Sequence, residues 1–170
     1  MFDFTVRNLA LLAAAPLLAL CAPMPAYADD VPLATAPAAA PVPADLLTSQ
    51  VVTMTNQLRG AAGCGQLDVD QDLIVASERQ SWYMAETRDF GHIGWGGSTF
   101  ITRARVAGYE QPAGENIAWG YLTAEEVMAA WMASPGHRAN ILNCATKSIG
   151  AGVTYAADGT PYYAEVFGWQ

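Results

Sequence analysis

The stretch from Ile149 to Phe167 narrows the fold more than any other part of the chain. Ile149, Ala151, Val153 and Tyr155 alternate with Gly150, Gly152 and Thr154, the period of two that puts alternate side chains on one face of a strand. Asp158-Gly159 offers a hairpin turn into a second strand, Tyr162 to Phe167. The chain therefore closes on an antiparallel hairpin, whose apolar positions need cover from elsewhere.

That cover is helical. From Leu47 the apolar positions recur at Val51, Met54 and Leu58, on one helical face, until Gly60 and Gly63 end it. A second helix fits Asp70 to Glu86, opened by Asp70 and Asp72 at its positive end and buried through Leu73, Ala76, Tyr83 and Met84. Gly94-Trp95-Gly96-Gly97 is a loop, after which Ser98 to Ala107 forms a short helix that turns Phe100 and Ala104 inward and ends at Gly108. Thr123 and Glu126 make a capping box, and the helix they open runs through Val127, Ala130 and Trp131 before Pro135-Gly136 stops it. With a short central strand and no βαβ rhythm or internal repeat, the expected class is α/β (α+β), helices layered on an antiparallel sheet.

Before these elements the chain has a different character. Arg7, an apolar run from Leu9 to Leu20 and the small-x-small triplet Ala26-Tyr27-Ala28 read as a signal peptide over Met1 to Ala28. Pro16, Pro23 and Pro25 break the run, which falls short of the roughly 20 apolar residues a membrane span needs. Cys21 is preceded by Leu20 rather than a small residue, which disfavours lipid attachment there. Residues 29–44 form an Ala/Pro-rich spacer with little to build a core, and the folded domain is expected over residues 45–170. The expected location is secreted or extracytoplasmic, with no transmembrane segment after processing.

Loss of Asp3 and Arg7 with the signal peptide leaves 15 acidic against 7 basic residues, which argues against nucleic acid as a partner. Two cysteines remain, Cys64 and Cys144, and an even pair in an oxidising compartment reads as a structural disulfide. Closing that loop of about 80 residues stabilises by roughly 4 to 5 kcal/mol in the chain-entropy model. A nucleophilic or metal-ligating cysteine would want a C-x-x-C or a histidine close by, and Cys64 has neither.

The chain holds only two histidines, His92 in Phe90-Gly91-His92 and His137 in Ser134-Pro135-Gly136-His137-Arg138. Glu115, in Gly114-Glu115-Asn116-Ile117-Ala118, lies between them in sequence. All three are expected on separate loops.

In these residues the chain resembles the CAP superfamily of cysteine-rich secretory proteins, antigen 5 and plant pathogenesis-related type 1 proteins, in its compact bacterial form. The resemblance covers about Leu46 to Phe167. It rests on Asn56-Gln57-Leu58-Arg59, the Phe90-Gly91-His92 step, Gly108-Tyr109, Gly114 to Gly120, Trp131 to Leu142 and Ile149-Gly150-Ala151-Gly152, in that order. It implies an α-β-α sandwich with a cleft lined by two histidines and two acidic residues, three of which match His92, Glu115 and His137. The fourth position falls three residues after Trp131, where this chain has Ser134. Glu126 already has a capping role, so Ser134 is the expected cleft residue, in preference to Glu125 or Glu126.

The candidate cleft is therefore His92, Glu115, Asn116, Ser134 and His137. Trp95, in a glycine loop beside His92, is added as a ligand contact, while Trp82 and Trp131 are assigned to packing. The resemblance implies metal binding in some members, and two neutral imidazoles at His92 and His137 suit zinc, with Glu115 ligating or holding a tautomer. Three functions stay open. The leading one is a non-enzymatic binding module for a small apolar ligand, since relatives include sterol and fatty-acid binders. The second is a metal- or serine-dependent hydrolase using Glu115, Ser134 and His137, although neither an H-E-x-x-H helix nor a G-x-S-x-G elbow is present. The third is an envelope or host interaction module in which the trio is structural, with Glu115 accepting from backbone amides and Arg138 pairing nearby.

Overall fold

A computed structural model describes residues 40–170; the signal peptide, Cys21 and the spacer as far as Ala39 lie outside the described residues. In chain order the elements are α1 (Ala44–Ala61), β1 (Asp68–Val69), α2 (Gln71–Thr87), a short 3-10 turn (Trp95–Gly97), α3 (Phe100–Ala107), β2 (Pro112–Trp119), α4 (Ala124–Ala133), α5 (Pro135–Ile141), β3 (Ser148–Tyr155) and β4 (Pro161–Gly168).

The strands form one sheet in the order β1-β3-β4-β2. β4 runs antiparallel to both neighbours, from Thr154 opposite Tyr162 to Ser148 opposite Gly168 on one side, and Trp119 opposite Tyr162 to Gly114 opposite Phe167 on the other. The sheet is mixed rather than purely antiparallel, because β1 pairs in parallel with the start of β3. Two residues between a loop and an N-capping aspartate carry no period, so sequence patterning has nothing to detect there.

Every residue of β4 is buried, because the sheet is covered on both faces. Tyr163 and Phe167 enter one core with Leu47 and Val51 of α1, Val127, Met128 and Trp131 of α4, and Ile141 of α5. Tyr162, Ala164 and Val166 point the other way, against Met84, Leu73 and Ala76 of α2 and Ala104 of α3. The result is the three-layer α-β-α sandwich that the resemblance implies.

Local chemistry explains the helix ends. The Asp70 side chain accepts from the amides of Asp72 and Leu73 at the start of α2, and Gly108 ends α3. At α4 the Thr123 hydroxyl accepts from the Glu126 amide while Glu126 accepts from the Leu122 and Thr123 amides. Thr123→Ala is expected to cost about 1 kcal/mol in urea unfolding, the usual worth of such a cap. Pro135 does more than stop α4. It is the first residue of α5, where its missing amide hydrogen is not needed, so His137 sits on a helix rather than beyond one.

Cys64 and Cys144 form a disulfide joining the loop after α1 to the segment before β3. Beside it the fully buried Arg59 donates to the carbonyls of Gly65, Ile141, Asn143 and Thr146, tying the same two segments together.

Candidate functional site

The cleft runs along the free edge of β2, where the two helical layers face each other. Alternation on β2 sends Glu115 and Ile117 toward the α2/α3 layer and Asn116 and Ala118 toward the α1/α4/α5 layer. Glu115 thus lies in the middle of a strand, His92 in the loop after α2, and His137 in the first turn of α5. Only His92 lies on a loop as expected.

Glu115 is buried, and both of its oxygens are engaged. One accepts from Arg103 of α3, a buried ion pair that sequence inspection misses because a lone arginine inside a short helix carries no signal. The other oxygen is 2.8 Å from His92 Nδ1. A carboxylate can only accept, so the neutral His92 ring carries its proton on Nδ1 and keeps its lone pair on Nε2. The His92 side chain is about half exposed, 54% against 1% for Glu115, which leaves that lone pair accessible.

Asn116 does not reach the cleft surface. It is fully buried, donating to the His137 carbonyl and to Glu165 Oε2 and accepting from Asn140 Nδ2 at 2.9 Å. Asn140 also donates to the Glu115 carbonyl, and Trp131 Nε1 to the Ile117 carbonyl at 3.1 Å. The outward carbonyls of β2 are therefore covered by side chains of α4 and α5. Burial, and then the nearby His92, hold the His137 imidazole below its ordinary value, which favours its neutral form.

Beside His137 opens a cleft of about 290 Å³ lined by Phe90, Ile117, Trp119, Tyr121, Trp131 and Ser134 among others. Trp119 stacks on Tyr162 at 6.2 Å and lies 6.5 Å from Phe90. Ser134 therefore lines the cleft with His137. Glu126 is spent on its cap, and Glu125 lines a groove between α1 and α4 instead. Arg138 is exposed and Arg103 takes the pairing role expected of it. Trp131 is buried as assigned, whereas Trp82 is 50% exposed. Trp82 packs with Trp95 and Tyr83 in a separate aromatic group, and Trp95 lines a groove with Arg79, Ser98 and Thr102 rather than the His137 cleft.

The Cysteine-rich secretory protein family pattern matches residues 52–167. YkwD of Bacillus subtilis is 35% identical over 130 residues, covering 76% of this chain and 50% of its own length. The membrane protein YlbC of the same organism is 30% identical over 105 residues, 61% of this chain and 30% of its own length. The chain thus spans half or less of these two relatives. Among solved structures, an outer surface protein of Borrelia burgdorferi superposes with a TM-score of 0.69 at 20% identity, over 77% of this chain and 98% of that one. An extracellular SCP-domain protein of Bacillus anthracis gives 0.67 at 23% identity, over 78% and 45%. With two thirds of its residues inside the family pattern and the same sandwich fold, this chain belongs to the Cysteine-rich secretory protein (CAP) family.

Proposed function

We propose that the protein is an exported, non-catalytic binding module. Its cleft holds a divalent metal ion such as zinc between His92 Nε2 and His137, and the apolar part of a small ligand, of the sterol or fatty-acid class, against Phe90, Trp119 and Tyr121. One observation carries this reading: both Glu115 oxygens are already committed, to Arg103 and to His92. Glu115 is then neither a metal ligand nor a free general base. It orients His92, as carboxylates do behind metal-bound imidazoles.

No group of three or more His, Cys, Asp or Glu able to hold a metal is present among the described residues, so two imidazoles would bind it and water or ligand would complete the shell. That is an open, exchangeable site. Hydrolysis by Ser134 would require a base hydrogen-bonded to its hydroxyl, and no such bond to either histidine is present among the described residues. Export rests on the pattern of Met1 to Ala28. No helix among the described residues is long and apolar enough to cross a membrane.

Calorimetric titration with zinc tests the metal site. The wild-type protein is expected to bind one ion, and the His92→Ala/His137→Ala variant to lose at least about tenfold in affinity while remaining folded. Equal affinities would remove the histidine pair from the site.

A further inference from the structure

Among the described residues the sheet has a second free edge, on the far side from the histidines, and it is finished differently. β1 covers β3 only at Ser148 and Ile149, and the last pairing bond runs from the Asp70 amide to the Ile149 carbonyl at 2.9 Å. Since Ile149 faces β1, period two makes Ala151, Val153 and Tyr155 face the same way, while Gly150, Gly152 and Thr154 face β4. Tyr155 ends the strand. Ala151 and Val153 thus turn their amides and carbonyls toward an edge that no strand among the described residues occupies. On β2 the equivalent carbonyls, of Glu115 and Ile117, are taken by Asn140 and Trp131. Among the described residues no side chain does this for Ala151 or Val153, although Ala151 is only 1% exposed. Unpaired main-chain groups at so sheltered a place are uncommon, because each costs free energy unless something answers it.

What lies over this edge is a slot rather than open solvent. A groove of about 570 Å³ is floored by Ala151 and Val153 and walled by α1 (Thr48, Val52) and by Val69, Ile74 and Glu78. Its α1 wall, from Ala44 to Thr53, runs about 14 Å, which accommodates about four residues of extended chain. The walls are largely apolar, and Val69 is 58% exposed. The charged lining groups are Asp45 and Glu78, neither of which forms an ion pair among the described residues, and no basic side chain lines the slot.

We propose that this slot is a docking site for an extended, cationic peptide segment of a partner protein, which adds to the sheet as a fifth strand beside β3. The backbone of such a segment supplies acceptors and donors at the strand spacing for Ala151 and Val153. Its apolar side chains lie between α1 and α2, and its basic side chains meet Asp45 and Glu78. The site is independent of the His92/His137 cleft, which lies at the opposite edge of the sheet.

The test is amide NMR on the folded protein with three capped heptapeptides, alternating Lys/Val, Thr/Val and Glu/Val. The Lys/Val peptide is expected to shift the Ala151 and Val153 amide protons downfield and slow their exchange at least about tenfold, with Gly152 and Thr154 unchanged. This period-two signature belongs to strand addition. Affinity should fall in the order Lys/Val, Thr/Val, Glu/Val, and alternate N-methylation of the Lys/Val peptide should abolish it. Asp45→Lys/Glu78→Lys, both at exposed positions, should reverse the charge preference. Absence of the alternating signature with all three peptides overturns the proposal. So does its appearance with protein concentration alone, which would give the edge to a second copy, or its displacement by palmitate, which would make the slot a lipid groove.

Discussion

Gly150→Ala is expected to be the most damaging single-methyl change in the protein, costing more than about 3 kcal/mol and leaving little folded material. α2 lies directly on the sheet at this point. A Cβ on Gly150 would fall 2.1 Å from the Leu73 carbonyl carbon and 2.2 Å from the Ile74 nitrogen. These are backbone atoms inside a helix, so no side chain can swing aside and α2 itself must lift. Overpacking ordinarily costs about 1 to 3 kcal/mol where neighbours can yield, and here they cannot. Gly152→Ala meets the Glu78 backbone at 2.6 Å and is expected to follow the same course. Urea unfolding of both variants beside Gly136→Ala, where nothing lies within 4 Å, separates the clash from a general glycine effect. Equal stability of the Gly136 and Gly150 variants would contradict the close approach.

The second large effect is a pH dependence centred on Glu165. This carboxyl is fully buried on β4. Thr55 donates to one oxygen at 2.6 Å and Asn116 to the other at 3.3 Å. Among the described residues the one charged group acting on it is Arg59, whose own donors are spent on carbonyls and the Thr146 hydroxyl. Burial raises the group from 4.5 to about 7, outweighing the Thr55 and Asn116 hydrogen bonds and Arg59, which act in the opposite sense. A folded-state value above the unfolded one means that the native protein holds more protons between the two. Its contribution is therefore most favourable below about pH 4.5, declines as pH rises toward 7, and stays at its lowest above that. The change amounts to about 3 kcal/mol.

Glu165→Gln removes this dependence while keeping the contacts. The Thr55 hydroxyl can accept from the new amide and donate to Met128 Sδ, 3.8 Å away, while the amide oxygen serves Asn116. The variant should gain about 3 kcal/mol on wild type between pH 4 and pH 8. An unchanged difference in urea unfolding at those two pH values would show that folding does not raise the Glu165 carboxyl above its ordinary value.

Much of the sandwich is legible in the sequence wherever a local rule and the tertiary structure agree. The Thr123–Glu126 box, the Asp70 cap, the Gly108 stop and the Asp158-Gly159 turn each satisfy their own backbone, so no distant residue is needed to explain them. Pro135 is ambiguous because proline both ends one helix and begins the next, and only the packing of Ile141 against Trp131 and its neighbours decides for α5. Of the site, His92, Glu115, Ser134 and His137 stand out by residue type and by resemblance. Arg103 and Glu165 do not. A charged residue buried among helices looks the same in sequence as one facing water, and Glu165 interrupts an apolar strand only once. Trp82 misleads for a related reason: helical spacing gives the face, but not whether anything covers it.

The ion pair behind His92 also bears on how such a cleft could change its ligand over evolutionary time. Arg103, Glu115 and His92 hold one another, so replacing any one strands a buried charge or frees a ring. Phe90, Trp119, Tyr121 and Ser134 bear no comparable obligation and form much of the cleft wall. New selectivity would be acquired by exchanging this periphery around an inherited centre. Relatives with different ligands should then diverge at these four positions and agree at the other three.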